Sequence, residues 1–596
     1  RGKARQDPRN RSYPGVGATQ HRGLGRVARE VGYVRHEPRL SHMTSRLLPA
    51  LLSALCVAPS ALGQDFGNLG GNGQRNGATE AIGPIRPVVA WSNTADFSLI
   101  SWMPYIHGEQ VLVVRESGFP AAGGSANDEI IAYGLGDGVI QWRTSLPYAG
   151  DPNTEFIAWI AGVNSGRVYG ARSQNQKPTP IHALDASSGA LLWTSNATSE
   201  AFAYDGVVFT EDGDLILGDR TRVVRIDGDT GVTEWSTVRS CPVSGACGVA
   251  IYGDAVYYDQ PEAGGNSLGK LDLATGAPLY DSPLMPGFTD QNTPFVGRDG
   301  TVFFARSQNN AAVDFLYAFD DNGTSFTQRW MVPVRWTTGH THGVSKSGVV
   351  YTFNANDEFV GLDPMSGTEI MNAGILSPLG SPNLSPQTVV DGAGTVYVSN
   401  GWANTPATDG RLWAFNEDLS VQHFTINLDR QNNGGPALGG AGYLVMADRQ
   451  GVYAYRSQEL GGTYCSPAVP NSAGLSGRII PRGSLTASDN DVILRAQDLP
   501  PNQFGFFING TAQANVPMAG GSQGTLCVGG SVGRYNLNVA QTGPDGRLEL
   551  RLDLSHTPTP TGTISINAGQ TWHFQCWHRD AGGNSNFTDG VTIVFQ

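Results

Sequence analysis

The sequence predicts an all-β protein: an eight-bladed β-propeller followed by a small β-sandwich. Three observations lead there. A motif of about eleven residues recurs seven times between positions 132 and 424. Its copies end 51, 42, 45, 50, 40 and 54 residues apart, the period of a four-stranded propeller blade. The composition suits tight turns: 78 of 596 residues are Gly, and only 15% are charged, against usual shares of about 7% and about 25%. The same figures exclude a coiled coil. The 12 Trp, 19 Tyr and 23 Phe supply cores that a disordered chain lacks.

The motif is a short apolar strand, a polar residue, a Gly, and a terminal aromatic or apolar residue. It reads Ala132 to Trp142, Ala183 to Trp193, Arg225 to Trp235, Lys270 to Tyr280, Ala318 to Trp330, Gly361 to Ile370 and Ala414 to Phe424. Alternating residues ahead of the Asp place one face against a neighbour. Asp followed by Thr or Ser and Gly makes a tight turn, with Asp capping amides and Gly at positive φ. The terminal Trp lies on the outer strand, sized to pack between blades. About twenty residues upstream of each Asp a second signal recurs, as in Gly166 to Gly170, Gly300 to Phe304, Gly348 to Thr352 and Gly394 to Val398. It reads as the second strand, entered from a hairpin such as Arg298-Asp299-Gly300. After Phe424, residues 436–457 supply three strands. Pro87 to Trp91 is the missing fourth, because Trp91 matches the motif's last residue. That pairing closes the ring and leaves no open edge.

Both ends have different character. Residues 1–42 carry ten Lys or Arg and three acids, and read as an untranslated or disordered basic leader. Met43 opens a secretory signal pattern: Arg46, the apolar run Leu47 to Val57, and Ala61-Leu62-Gly63 as the cleavage site. Residues 43–63 are therefore expected to be removed, with cleavage near Gly63, placing the protein in the periplasm, at the cell surface or outside the cell. Cys56 follows Leu55, where lipidation wants a small residue, so ordinary cleavage is expected. No other apolar run reaches a membrane span. Residues 64–84 are rich in Gly and Asn and read as a flexible segment. The propeller is expected over 85–457, a linker over 458–463, and the sandwich over 464–596. In that last region short alternating strands are expected at 491–496, 504–508, 547–554, 563–566, 571–577 and 591–595.

Without residues 1–63, 28 basic and 49 acidic residues remain. A chain so acidic is a poor match for phosphate backbones, so no nucleic-acid partner is expected; the charge favours solubility and a monomer. Five cysteines remain. Cys241 and Cys247 close a short turn-rich loop, and a local disulfide is expected there. Metal binding fits less well, since no Cys or His follows at finger spacing. Cys465, Cys527 and Cys576 are odd in number, so at least one is free or pairs between chains.

The repeat resembles the pyrroloquinoline-quinone (PQQ) type repeat, the blade of quinoprotein dehydrogenases and of the outer-membrane assembly propeller lipoprotein. Thr293 to Phe304 matches it well. The resemblance covers about 370 residues and implies the fold. It leaves activity open, because enzymes and non-enzymes share the repeat. Leu499 to Phe507, Gly521 to Cys527 and Phe587 to Val591 resemble a C-terminal module of exported bacterial proteins. That resemblance implies a Cys465–Cys527 bridge with Cys576 free, and a binding or surface-retention role.

A propeller's site lies on its axis, where the inner strands begin. In this register Glu155, Glu200, Asn292, His342 and Ser385 fall there. His340 and His342 are two apart and share a strand face, as metal ligands could; with no third ligand nameable they read as polar funnel residues. A quinone dehydrogenase needs a carboxylate base, Ca²⁺ and a planar sandwich for PQQ. Glu155, Glu200 and Asn292 are its candidates here, but the adjacent Cys-Cys pair of many alcohol-oxidising members is absent. Asp227 to Asp229 opens like a calcium loop but has Val238 where Glu is needed. Asp321 to Phe326 partly matches the aspartate box of sialidase propellers, without an assignable nucleophile. No G-x-S-x-G, P-loop or H-E-x-x-H occurs. The expected function is thus a non-catalytic binding or scaffold role toward a protein or glycan partner, with no resident cofactor or metal. The alternatives are a PQQ- and calcium-dependent dehydrogenase and a glycan-active propeller enzyme.

Overall fold

The structure, a computed structural model of the chain, describes residues 66–94, 103–115, 128–148, 157–173, 178–199, 206–243, 248–286, 293–306, 313–335, 342–377, 385–402, 410–428 and 435–596 except 440, 441 and 449. The chain divides into two compact units, Arg1–Ala58 and Pro59–Gln596, and the first falls outside the described residues. So do the expected leader 1–42 and signal segment 43–63. Among the described residues no helix is long and apolar enough to cross a membrane.

Among the described residues, 88–456 form eight antiparallel sheets, in which strands pair mostly with the next in sequence. The first strands of the eight are Tyr105–His107, Ile157–Asn164, Val208–Phe209, Val249–Tyr252, Phe295–Val296, Gly343–Val344, Ser385–Val390 and Ala437–Leu438. The eighth sheet has three strands of its own; its fourth is Val88–Asn93, antiparallel to Val452–Arg456. Burial explains the sequence pattern. Second and third strands, such as Gln110–Arg115 and Arg222–Ile226, are buried on both faces and read as apolar runs. Fourth strands, such as Thr233–Val238, alternate between half-buried and exposed, as a strand with one covered face does.

The terminal Trp of four motif copies explains how neighbouring sheets join. Trp142 Nε1 donates to the Ala186 carbonyl of the next sheet at 2.8 Å. Trp193 donates to Gly228 at 3.2 Å, Trp235 to Leu273 at 3.0 Å and Trp330 to Pro364 at 2.9 Å. Each acceptor follows the motif's Asp. The turn glycines Gly189, Gly231, Gly276 and Gly367 have positive φ and sit on these indoles so closely that a Cβ would enter the ring. Where Tyr280 replaces Trp, its hydroxyl donates to Asp321, and Lys270 pairs with the same carboxylate at 2.7 Å. Trp91 repeats the lock from the eighth sheet to the first, donating to Leu135 at 2.7 Å. Its expected pairing with the last strands of the repeat region is present.

After Arg456 the described chain enters two larger sheets, beside two two-stranded ribbons. The expected linker 458–463 is instead built into the larger sheets. Gln458 and Glu459 pair with Gly483 and Arg482, and Gly462–Tyr464 pairs with residues 590–592. Four strands, including Arg478–Gly483, Val492–Gln497 and Leu548–Leu552, form one sheet; Phe504–Gly510, Thr571–Arg579 and Ser585–Val594 lie in the other. Val492, Leu494, Leu548 and Leu552 from the first share a core with Phe507, Trp572, Phe574 and Ile593 from the second. Cys465 and Cys527 are joined by a disulfide across a sequence separation of 62. Cys576 is a buried free thiol, and burial pushes its pKa up.

Candidate functional site

The segment expected to be flexible is hydrogen-bonded to the first strands of the sheets. Residues 66–84 pass along the first strands of successive sheets, in the order of the sheets. The Ile106 N–H donates to the Phe66 carbonyl at 3.1 Å and Val163 N–H to Gly67 at 2.6 Å. Ile251 N–H donates to Gly73 at 2.8 Å, Val296 to Gln74 at 2.9 Å, Val344 to Asn76 at 2.8 Å and Val390 to Gly77 at 2.8 Å. These six donors hold the same place in six sheets: the last aliphatic residue before the hairpin to the second strand. The third sheet is reached by Arg75, whose Nη2 donates to the Gly206 carbonyl at 3.3 Å just ahead of Val208–Phe209. The eighth is reached by packing: a Cβ on Gly442 would lie 3.0 Å from the Ile82 carbonyl oxygen.

The physical reason is the free edge of the first strands. Their outward N–H groups have no strand to pair with, and buried N–H groups must be satisfied. The segment supplies the carbonyls. Its composition serves close approach. Gly77, with φ +68°, passes so near His342 that a Cβ would lie 2.8 Å from the His342 carbonyl oxygen. Asn side chains at every fourth position hold the path: Asn68 Nδ2 donates to the Asn72 carbonyl, Asn72 Nδ2 to Asn76 Oδ1, and Asn76 Nδ2 to the Val296 carbonyl. Arg75 is 4% exposed, and its Nε donates to the Val249 carbonyl at 2.6 Å. Composition alone hid this. The signal was the Asn68, Asn72, Asn76 spacing around a lone Arg.

Of the expected funnel residues, Glu155, Glu200, Asn292 and His340 lie outside the described residues. Ser385 begins the first strand of the seventh sheet and pairs with Trp402. His342 precedes the first strand of the sixth sheet. It is 4% exposed and its ring stacks on Phe295 at 4.5 Å and 10°. Burial pushes its pKa down to about 3, so it is a neutral core imidazole at ordinary pH. Asp391 is buried too, which raises its pKa. Its oxygens accept the N–H groups of Gly83, Ala393 and Thr395, so it caps a turn. Among the described residues no three His, Cys, Asp or Glu side chains are grouped to hold a metal ion. Cys241 is an exposed free thiol; Cys247, its expected partner, lies outside the described residues.

The candidates for holding PQQ and Ca²⁺, Glu155, Glu200 and Asn292, lie outside the described residues; the described polar groups along the first strands are already engaged. Asp391 is spent on backbone amides, His342 on an aromatic stack, and the first-strand edges on the chain's own carbonyls.

Residues 126–330 match the family described as outer membrane protein assembly factor BamB. These are PQQ-type β-propeller repeats. No curated protein matches the chain. Among solved structures, BamB from Moraxella catarrhalis is similar over 62% of this chain and 99% of its own, at 16% identity and a TM-score of 0.43. A europium-containing methanol dehydrogenase is similar over 65% of this chain and 90% of its own, at 14% identity and 0.46. A quinohemoprotein alcohol dehydrogenase from Comamonas testosteroni is similar over 69% and 84%, at 14% identity and 0.47.

Proposed function

We propose that this chain is an exported eight-bladed propeller with a C-terminal β-sandwich. It works without catalysis, as a monomeric binding or scaffold protein at the cell envelope or outside the cell. The observation that carries the reading is the 66–84 segment. In a ring of eight blades it occupies the inner-strand edges at their hairpin ends. At that end of the inner strands, backbone, glycine and a buried guanidinium leave no flat walls or free ligands for a planar cofactor. Loops and outer edges then remain for a protein or glycan partner. The matched family is described as an assembly factor, which supports a scaffold role. The Cys465–Cys527 disulfide suits an oxidising compartment.

Calorimetric titration of the purified full chain with pyrroloquinoline quinone, with and without Ca²⁺, tests the reading. No saturable heat is expected in either case. Ca²⁺-dependent binding at micromolar concentration or tighter would overturn it, and would make Glu155, Glu200 and Asn292 the first residues to replace.

A further inference from the structure

The C-terminal region contacts the 66–84 segment where that segment leaves the first strands. Arg551 donates from Nη2 to the Gly83 carbonyl at 2.7 Å, and from Nη1 to Asp491 at 2.7 Å. The Glu549 carboxylate accepts the Ile82 N–H, and its side chain is 10% exposed. Arg86 pairs with Asp489 at 2.8 Å, and Arg547 with Glu109 in the first sheet. On the propeller side, Asp391 accepts the Gly83 N–H at 3.0 Å. The backbone at 82–83 is therefore gripped from both sides. The chain then runs a few residues to Val88–Asn93, the strand that completes the eighth sheet.

We propose that the C-terminal region acts as a clasp on this crossing: it holds the 66–84 segment in place and thereby secures the junction between the first and eighth sheets. The contacts are of the kind that hold a position. Arg551 has Asp491, a fully buried carboxylate, on one arm and a backbone carbonyl on the other. A buried charge pair tolerates little displacement, because separating it strands both charges in a poor solvent. The polar groups meet the crossing where a mobile anchor domain would meet nothing. The role rests on these contacts, and stands whether or not the propeller has a catalytic partner function.

Residue-resolved amide hydrogen exchange of the full chain tests it. Arg551→Gln removes the grip on Gly83. The amides of Thr79, Val344 and Val390, whose bonds join the segment to the sheets, are expected to exchange at least about tenfold faster. Amides between the strands Thr571–Arg579 and Ser585–Val594 should keep their wild-type rates, as should those of Arg222–Ile226. A second variant, Arg86→Ala with Glu109→Ala, leaves the interior of the C-terminal region intact; about threefold acceleration at the same amides is expected. Unchanged rates at Thr79, Val344 and Val390 in both variants would overturn the clasp. So would equal acceleration throughout the chain. If Arg551→Gln does not fold, Arg551→Lys and the double variant are read by the same amides.

Discussion

Gly77→Ala tests whether the 66–84 segment is locked to the sheets. Gly77 has φ +68°, and an Ala there costs about 1 kcal/mol for the left-handed backbone alone. Its Cβ would lie 2.8 Å from the His342 carbonyl oxygen and 3.2 Å from Gly343 Cα. Both are backbone, so the segment must move instead. Moving it stretches the Val344 N–H to Asn76 and Val390 N–H to Gly77 bonds, both 2.8 Å, at about 1 kcal/mol each. The sum is about 3 kcal/mol in favour of opening. Trypsin reads this directly, because Arg75 is 4% exposed and is cut only when the segment opens. Where opening is fast relative to cleavage, the rate follows the open population. Cleavage after Arg75 should therefore rise on the order of 100-fold. Gly108→Ala is the control: φ is +55°, but no atom lies within 4 Å of the new Cβ. Its cleavage rate at Arg75 should match wild type. A Gly77→Ala chain cut at the wild-type rate would refute the reasoning, as would two variants cut equally fast.

Three further outcomes are expected. Trp142→Phe removes the Nε1 bond to Ala186 and should cost about 1–3 kcal/mol; Trp142→Ala should cost about 3–5 kcal/mol. Wild-type melting of both in calorimetry would contradict the Trp lock. His342, held down to about 3 by burial, takes up a proton on unfolding below its free pKa of about 6.5. Its contribution is present above that value and is lost as pH falls toward 3. His342→Phe should thus flatten the fall in stability between about pH 6.5 and pH 4 by about 1.4 kcal/mol per pH unit; parallel melting curves would count against it. Replacing both Cys465 and Cys527 with Ala reopens a closure of 62 residues and should destabilise the C-terminal region by about 4 kcal/mol, read from its denaturant midpoint. An unchanged midpoint would show that the bridge does not constrain the unfolded chain.

The repeat was legible because its physics is local. Asp-x-x-x-Gly turns such as Asp185 to Gly189 follow from side-chain capping and positive φ, and each needs only its own residues. Trp91 was legible because it carries the motif's terminal residue without the rest of the motif. The 66–84 segment was illegible for the opposite reason. Gly and Asn mark loose linkers when they face water. Here they let backbone approach backbone, and the partners that make this favourable lie hundreds of residues away, as in the Tyr397 hydroxyl donating to the Pro84 carbonyl at a separation of 313. The stretch 458–463 misled for the same reason, since its strand partners are at 482–483 and 590–592. Spacing suggested that Cys241 and Cys247 would pair; Cys241 is a free thiol, and Cys247 lies outside the described residues. Cys465 and Cys527 were paired through resemblance, because 62 residues of intervening chain give no local signal. His342 reads as a polar funnel residue beside His340; the stack on Phe295, across two sheets, is what makes it core.

Hydrogen exchange of the wild-type chain, resolved to single amides, tests the account at its centre. The amides of Ile106, Val163, Ile251, Val296, Val344 and Val390 should be protected as strongly as those of the second and third strands, because each donates to the 66–84 segment. If these six exchange as fast as exposed hairpin amides, the segment does not line the first strands, and the axis is open to a ligand.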